Sequence, residues 1–590
     1  MPEIKEWTLM FYFASDNPLA ISVVSQLKAI KAAGFHPEAN VVAHFDPYTE
    51  GTPTHIFDVN LINKLKNGRD PHIGFCEDEP VVRNMIEDKL WRDERTRPAE
   101  TAAAGAEGEL VRTALHRVLE DHYGIDYRPP IAPFSLEGLH SNGSHRFVPE
   151  PDPETSLSEF LRFCADNYPA QHYMLFILGH GVVVGNDIFM RDEHTTSKNS
   201  LTLTELGRIL TDFKNSVALE NGKFELVSFQ SCSVSSLEVA FELQDTANFM
   251  LASQGPTFVG SWPYRQILIR IFNEIGRDRT NRNINVRDLL LSIYNYCLFN
   301  SADFLLAGYS FQITLCDLRK ISTLKDPIEN LSQALLDGLL DLTSKDYILL
   351  SHWKSQSFFN EMYTDLYDFC FCFNNKVKEL RDSRGRVTPQ LRAIEAACNI
   401  VMDKLVKENP KRAGDPVIEQ FIVGADSLGP AYQYSRGVSV YFPWSEPSRD
   451  SRIMAEYEGY RFSTDFENAS WLMFLREYFT ETMREVSSTE PDARRFLPLL
   501  SVAQSQDQRL DEDLASLVYS GEGLLNGQDA LALKSDPMDK MGGETEAPSI
   551  KNYPRDIRPR RARGRQARQP FALTESFRVL NGNGRNGNHA

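Results

Sequence analysis

Two residues suited to nucleophilic and acid–base chemistry, His180 and Cys232, each stand directly after an apolar run. Tyr173-Met174-Leu175-Phe176-Ile177-Leu178 is a short unbroken apolar stretch stopped by Gly179-His180-Gly181, the pattern of a parallel strand covered on both faces. Phe224-Glu225-Leu226-Val227-Ser228-Phe229 reads as a second buried strand that ends in Gln230-Ser231-Cys232. Beyond it, Ser235-Ser236-Leu237-Glu238 fits a capping box, and Leu237, Val239, Ala240, Phe241 and Leu243 give the next helix an apolar face. Cys232 is therefore predicted between the carboxyl end of a strand and the amino end of a helix. Open α/β sheets place their chemistry on that edge, and the positive end of a helix dipole favours a thiolate. A thiol and an imidazole placed there suit acyl transfer, the sulfur attacking a carbonyl and the ring moving protons. The same two residues also admit a structural reading, as a small buried hydrophobe and a His-Gly turn.

Further segments keep company with this pair. They are Trp7-Thr8-Leu9-Met10-Phe11-Tyr12-Phe13-Ala14-Ser15-Asp16-Asn17, Leu178-Gly179-His180-Gly181, Ser231-Cys232 with Leu237-Glu238-Val239-Ala240-Phe241-Glu242-Leu243, Ser261-Trp262-Pro263-Tyr264, and Gly459-Tyr460-Arg461-Phe462-Ser463-Thr464-Asp465 with Trp471. In this order they resemble the clostripain family of cysteine peptidases, which shares its clan with caspases, legumains and gingipains. The resemblance runs over roughly residues 1 to 480 and implies a caspase-like fold: a three-layer α/β/α sandwich around a mostly parallel sheet. It implies that Cys232 attacks the scissile carbonyl to form a thioester. His180 then protonates the leaving amine and later assists water, without having to hydrogen-bond the resting thiol. It also implies an oxyanion hole from the main-chain N–H groups of Gly181 and Cys232, and glycine suits position 181 because close approach to substrate leaves no room for a side chain.

Two positions depart from the family pattern. Members that cut after Arg or Lys carry an aspartate two residues before the cysteine, where this chain has Gln230. A second acid can stand two residues before the Trp-Pro-Tyr tryptophan, where this chain has Gly260. A basic P1 side chain would enter such a pocket without its countercharge, so strict Arg/Lys specificity is not expected. Gln230 matches the glutamine that lines the first pocket of caspases, although an acidic P1 would also need arginines there, for which Arg265 is a weak candidate. A neutral polar or apolar P1 fits as well. Gln230, Gly260, Ser261 and Trp262 are the expected substrate-binding residues. The rival readings are a relative that binds peptides or proteins without cutting them, and an amidase or transpeptidase on the same fold.

Length and composition bound the rest. The chain has 590 residues, 42% of them hydrophobic, enough for a large core and several domains. A formal charge of −18 argues against general nucleic-acid affinity. The eight cysteines are too sparse for a disulfide scaffold and form no CxxC pair, so no structural metal is expected. Calcium enters through the resemblance alone. The charged start Met1-Pro2-Glu3-Ile4-Lys5-Glu6 shows no secretory hydrophobic region, and no 18-residue apolar run marks a membrane span. With unpaired thiols, this suggests a cytoplasmic protein.

The expected organisation is a catalytic domain over 1–265, an accessory region over 266–485 packed upon it, and a low-complexity tail over 486–590. Strands are predicted at Leu9 to Phe13 and Asn40 to Asp46, with helices at Ile21 to Ala32 and Ser156 to Asn167. Asp16 and Asp46 then share the edge of His180 and Cys232, as pocket or cation residues or as turn caps. An insertion is expected at about 67–150, rich in charge, alanine and turn residues. The polar loop Met190 to Asn199 matches a region that the family can cut in itself, although the missing pocket acids predict an intact chain, and His194 reads as solvated loop. Residues 551–590 hold ten Lys/Arg against two Asp/Glu, leaving 53 against 79 elsewhere. That asymmetry suggests a solvated tail, with nucleic-acid contact confined to its arginines.

Overall fold

The computed structural model describes residues 4–487 apart from 18, 35, 47–54, 59–151, 182, 185–188, 193–194, 196–197, 218–222, 276–284, 302–308, 360, 407–419, 430 and 448–451. The insertion read at 67–150, His194 and the tail beyond Ser487 lie outside the described residues. The chain divides into Met1–Thr545 and Glu546–Ala590, and everything below belongs to the first unit.

The elements in order are β1 (Lys5–Phe13), α1 (Ala20–Lys31), β2 (Ala39–Phe45), β3 (His55–Asp58), α2 (Pro153–Asn167), β4 (Ala170–Leu178), α3 (Leu203–Ser216), β5 (Phe224–Gln230), α4 (Leu237–Leu243), β6 (Ala247–Ala252), α5 (Tyr264–Ile275), α6 (Val286–Asn300) and β7 (Phe311–Asp317). There follow α7 (Ser322–Leu339), α8 (Leu342–Lys354), β8 (Ser357–Phe358), β9 (Tyr363–Asp365), α9 (Leu366–Asp382), α10 (Pro389–Leu405), β10 (Ile422–Leu428), β11 (Ser439–Tyr441), α11 (Ile453–Gly459), α12 (Arg461–Thr464) and α13 (Trp471–Ser487). Eight strands form one sheet in the order β10-β7-β6-β5-β4-β1-β2-β3. Its centre, β2-β1-β4-β5-β6, is parallel, while β3 and β7 run against it. β8, β9 and β11 make a separate antiparallel sheet.

The unbroken apolar runs are explained by cores on both faces. Along β1, Leu9, Phe11 and Phe13 enter the core of α1, α5 and α6, while Met10 and Tyr12 enter the opposite one. β4 alternates in the same way, sending Met174, Phe176 and Leu178 to the first core and Tyr173, Leu175 and Ile177 to the second. Successive strand side chains point to opposite faces, so a strand between two helical layers must be apolar at every position. This is the three-layer α/β/α arrangement. Among the described residues no helix is long and apolar enough to cross a membrane.

Residues beyond 265 do more than pack on the sheet, because β7 and β10 extend it at the β6 edge. Their apolar faces also continue the second core through α7 to α10 and α13. The capping expectation at α4 shifts by one residue: Ser236 is the N-cap, its hydroxyl accepting from the Val239 N–H at 3.4 Å. Glu238 is then the second helical residue, not the third. It is fully buried and accepts from the Tyr441 N–H at 2.8 Å and the Tyr457 hydroxyl at 2.7 Å. Tertiary donors thus take the carboxylate that a local capping box would have used.

Candidate active site

β4 and β5 are parallel neighbours with Leu178 opposite Gln230. His180 and Cys232 are each two residues further on, so the register puts both at the same edge on adjacent strand ends. The two turns touch. A Cβ placed on Gly181 would lie 1.8 Å from the Cys232 carbonyl oxygen and 2.4 Å from its nitrogen, which means that only glycine lets the main chain after His180 lie against that of Cys232. Ser233, next in the nucleophile turn, holds a left-handed backbone with φ 54°.

His180 is 4% exposed, and its Nε2 makes no hydrogen bond. Burial, helped by the Arg191 charge, lowers its pKa to about 4, so the ring is neutral near pH 7. Several bonds hold the turn it stands on: Met190 N–H donates to the His180 carbonyl at 3.0 Å, Asn17 Nδ2 donates to Arg191 O at 2.9 Å, and the Val184 N–H donates to the Tyr363 hydroxyl at 2.8 Å. Cys232 is half-buried. Its sulfur meets Thr257, accepting from the main-chain N–H at 3.5 Å with the Thr257 hydroxyl and carbonyl oxygens each at 4.0 Å. Burial raises the thiol, and the Thr257 contacts oppose that shift.

The four residues read from sequence as substrate-binding do not form an open pocket here. Gln230 is fully buried; its Nε2 donates to Phe258 O and its Oε1 accepts from the Tyr264 hydroxyl, both at 2.9 Å. Trp262 is 1% exposed and donates from Nε1 to Ser228 Oγ at 2.8 Å within the core on that face. Ser261 is buried, its hydroxyl accepting from the Phe258 N–H at 3.1 Å. Gly260 has φ +96°, a conformation that favours glycine, and its carbonyl accepts from Asn300. Pleat alternation explains the pattern, since Ser228 and Gln230 share the face of Leu226, toward α5. These side chains brace the loop behind Cys232.

Asp16 and Asp46 line a small cleft with Tyr12, His44, Arg191 and Asp192, beside the His180 turn. Among the described residues no group of three or more His, Cys, Asp or Glu side chains is placed to hold a metal ion. Among the described residues no two cysteines are joined by a disulfide. Thr257 and Tyr432 were not legible in advance. Tyr432 arrives from the β10–β11 connection, 200 residues after Cys232, and its ring lies 3.1 Å from a Cβ placed on Gly255, whose carbonyl accepts from the Ser233 N–H at 3.0 Å.

Residues 152–424, which include both His180 and Cys232, match the model of the clostripain family. No curated protein matches the chain. Among solved structures, an inactive zymogen C11 protease from Parabacteroides distasonis is 14% identical, with 79% of this chain and 100% of that one covered and a TM-score of 0.41. A secreted C11 cysteine protease from Bacteroides thetaiotaomicron, solved with an irreversible peptide inhibitor, is 12% identical over 77% of this chain and 98% of that one, also at a TM-score of 0.41. The segment that carries the thiol and the imidazole, residues 152–424, thus matches the clostripain family, a family of cysteine peptidases.

Proposed function

We propose that Cys232 is the nucleophile and His180 the acid–base residue with which this cysteine endopeptidase hydrolyses peptide bonds. The observation that carries this reading is the contact of the two turns: the β4–β5 register aligns the strand ends, and Gly181 lies against the main chain of Cys232. As Sγ bonds to the scissile carbon, the carbonyl π pair moves to oxygen and the thiol proton passes to the neutral imidazole. Collapse of the adduct breaks the C–N bond, and the imidazolium gives that proton to the departing amine. Water then attacks the thioester, His180 taking its proton and returning one to sulfur as the C–S bond breaks. The main-chain N–H groups of Gly181 and Cys232 are assigned to the oxyanion. Removing one donor of such a pair typically costs about 10²–10³ in kcat.

A neutral P1 side chain is part of the same proposal. Position 260 has no side chain, and the Gln230 amide is occupied by Phe258 and Tyr264, so neither position offers a carboxylate to a desolvated Arg or Lys. A reducing, cytoplasmic setting is proposed as well, in keeping with cysteines that are not joined by disulfides among the described residues. The test is hydrolysis of a fluorogenic peptide library varied at P1, by wild type and Cys232→Ala in parallel. Cleavage should vanish in the variant and favour neutral P1. Cleavage that survives Cys232→Ala would refute the nucleophile, and a strict Arg/Lys preference would refute the pocket.

A further inference from the structure

We propose that Thr257 is a positioning residue for the nucleophile: its main-chain N–H and its hydroxyl form a seat that holds the Cys232 sulfur and favours its thiolate. The proposal rests on the reading of Cys232 as nucleophile and adds to it the residue that prepares the sulfur for attack. The geometry starts from the resting pair. His180 Nε2 makes no hydrogen bond, so the imidazole does not hold the thiol in place. Thr257, in contrast, meets Sγ with its N–H at 3.5 Å and with its hydroxyl and carbonyl oxygens at 4.0 Å.

These atoms suit both protonation states. A neutral S–H can donate to the Thr257 carbonyl or hydroxyl oxygen. Once the proton has left for solvent or for the imidazole, the N–H and the hydroxyl O–H can both donate to sulfur, and hydrogen bonds to an ionised partner are the stronger kind. The buried thiol would otherwise be costly to ionise, and Thr257 is the group that opposes that cost.

The seat is rigid because the same turn clamps it on both sides. Ser235 N–H donates to Ser253 O at 2.8 Å and Ser233 N–H to Gly255 O at 3.0 Å, a short ladder that Thr257 continues onto the sulfur. After it, Phe258 N–H donates to Ser261 Oγ at 3.1 Å, and Phe258 O accepts from Gln230 Nε2 at 2.9 Å. Thr257 itself is fully buried, follows Pro256, and carries a β-branched side chain with few accessible rotamers. Gln230 and Ser261 thereby gain a role: they fix the strap that carries Thr257.

The experiment is the pH dependence of Cys232 alkylation by iodoacetamide in the full-length protein, read by mass spectrometry on the peptide that contains Cys232. Wild type, Thr257→Val, Thr257→Ala and Thr257→Ser are compared after circular dichroism has confirmed their fold. Valine keeps the shape and loses the hydroxyl donor. Its alkylation midpoint should rise by about one pH unit, a roughly tenfold loss of thiolate below the midpoint. Alanine should follow valine, serine should stay with wild type, and kcat should fall in valine while KM moves less. A valine or alanine midpoint equal to that of wild type would overturn the proposal, as would a serine midpoint displaced as far as that of valine. Alkylation reports sulfur ionisation whether or not peptides are cut, so failure here is distinct from failure of Cys232→Ala to abolish hydrolysis.

Discussion

Replacing Gly181 by alanine tests the contact on which the active-site reading rests. Gly181 does not occupy the left-handed region, so alanine meets no backbone strain there, and the cost is spatial. The new methyl carbon would start 1.8 Å from Cys232 O and 2.4 Å from Cys232 N, against an ordinary contact of about 3.4 Å. The turns after β4 and β5 must therefore separate by about 1.6 Å at that point, and both are main chain held by neighbouring strands, with no flexible tip to yield. Misplacement of a catalytic group by about 1 Å can cost on the order of 10² in rate, and loss of one oxyanion donor about 10²–10³. We expect Gly181→Ala to lower kcat/KM for the best library peptide by about 10²–10³, equivalent to roughly 2.7–4 kcal/mol, mostly through kcat. The assay is steady-state hydrolysis, with circular dichroism to show that the variant is folded. An alanine variant within about threefold of wild type in kcat/KM would refute the contact and, with it, the oxyanion assignment of Gly181.

Two other predictions concern stability. His180 is buried neutral with a pKa of about 4 against 6.5 unfolded, so the unfolded chain binds the extra proton and stability falls as the pH drops through that window. Relative to His180→Gln, wild type should be unchanged above about pH 7 and lose up to roughly 3 kcal/mol by pH 4; urea unfolding across this range would show no such divergence if the ring were solvated. Gln230→Leu should destabilise the fold by about 1–3 kcal/mol, because it strands the Tyr264 hydroxyl in the core and removes one of the two donors to the Phe258 carbonyl, which keeps the Ser261 N–H. An unchanged unfolding midpoint in this variant would mean that the amide is free to face substrate.

Much of the fold was readable from local pattern. β1 and α1 lie within a few residues of their expected places at Leu9 to Phe13 and Ile21 to Ala32, and β2 follows Asn40 to Asp46 closely. Asp365 caps α9 through an equally local contact, accepting from the Asp368 N–H at 2.8 Å. Such features depend on periodicity and on side chains a few positions apart, and both are written along the chain. The cap of α4 was misread by one residue because Glu238 found its partners in Tyr441 and Tyr457, more than 200 positions away.

The thiol, the imidazole and the strand ends that carry them are thus legible in the sequence, since an apolar run stopped by Gly-His-Gly and another stopped by Gln-Ser-Cys read as buried strands. What surrounds the sulfur is a product of assembly. Strand pairing decides that Gly181 meets Cys232, pleat parity turns Gln230 inward to Tyr264, and Thr257 reaches Sγ only because β6 lies beside β5. Motif spacing records which residues follow a strand, but hydrogen bonds between strand-end loops depend on sheet order and register, and these are settled only when the whole sheet packs between its two helical layers.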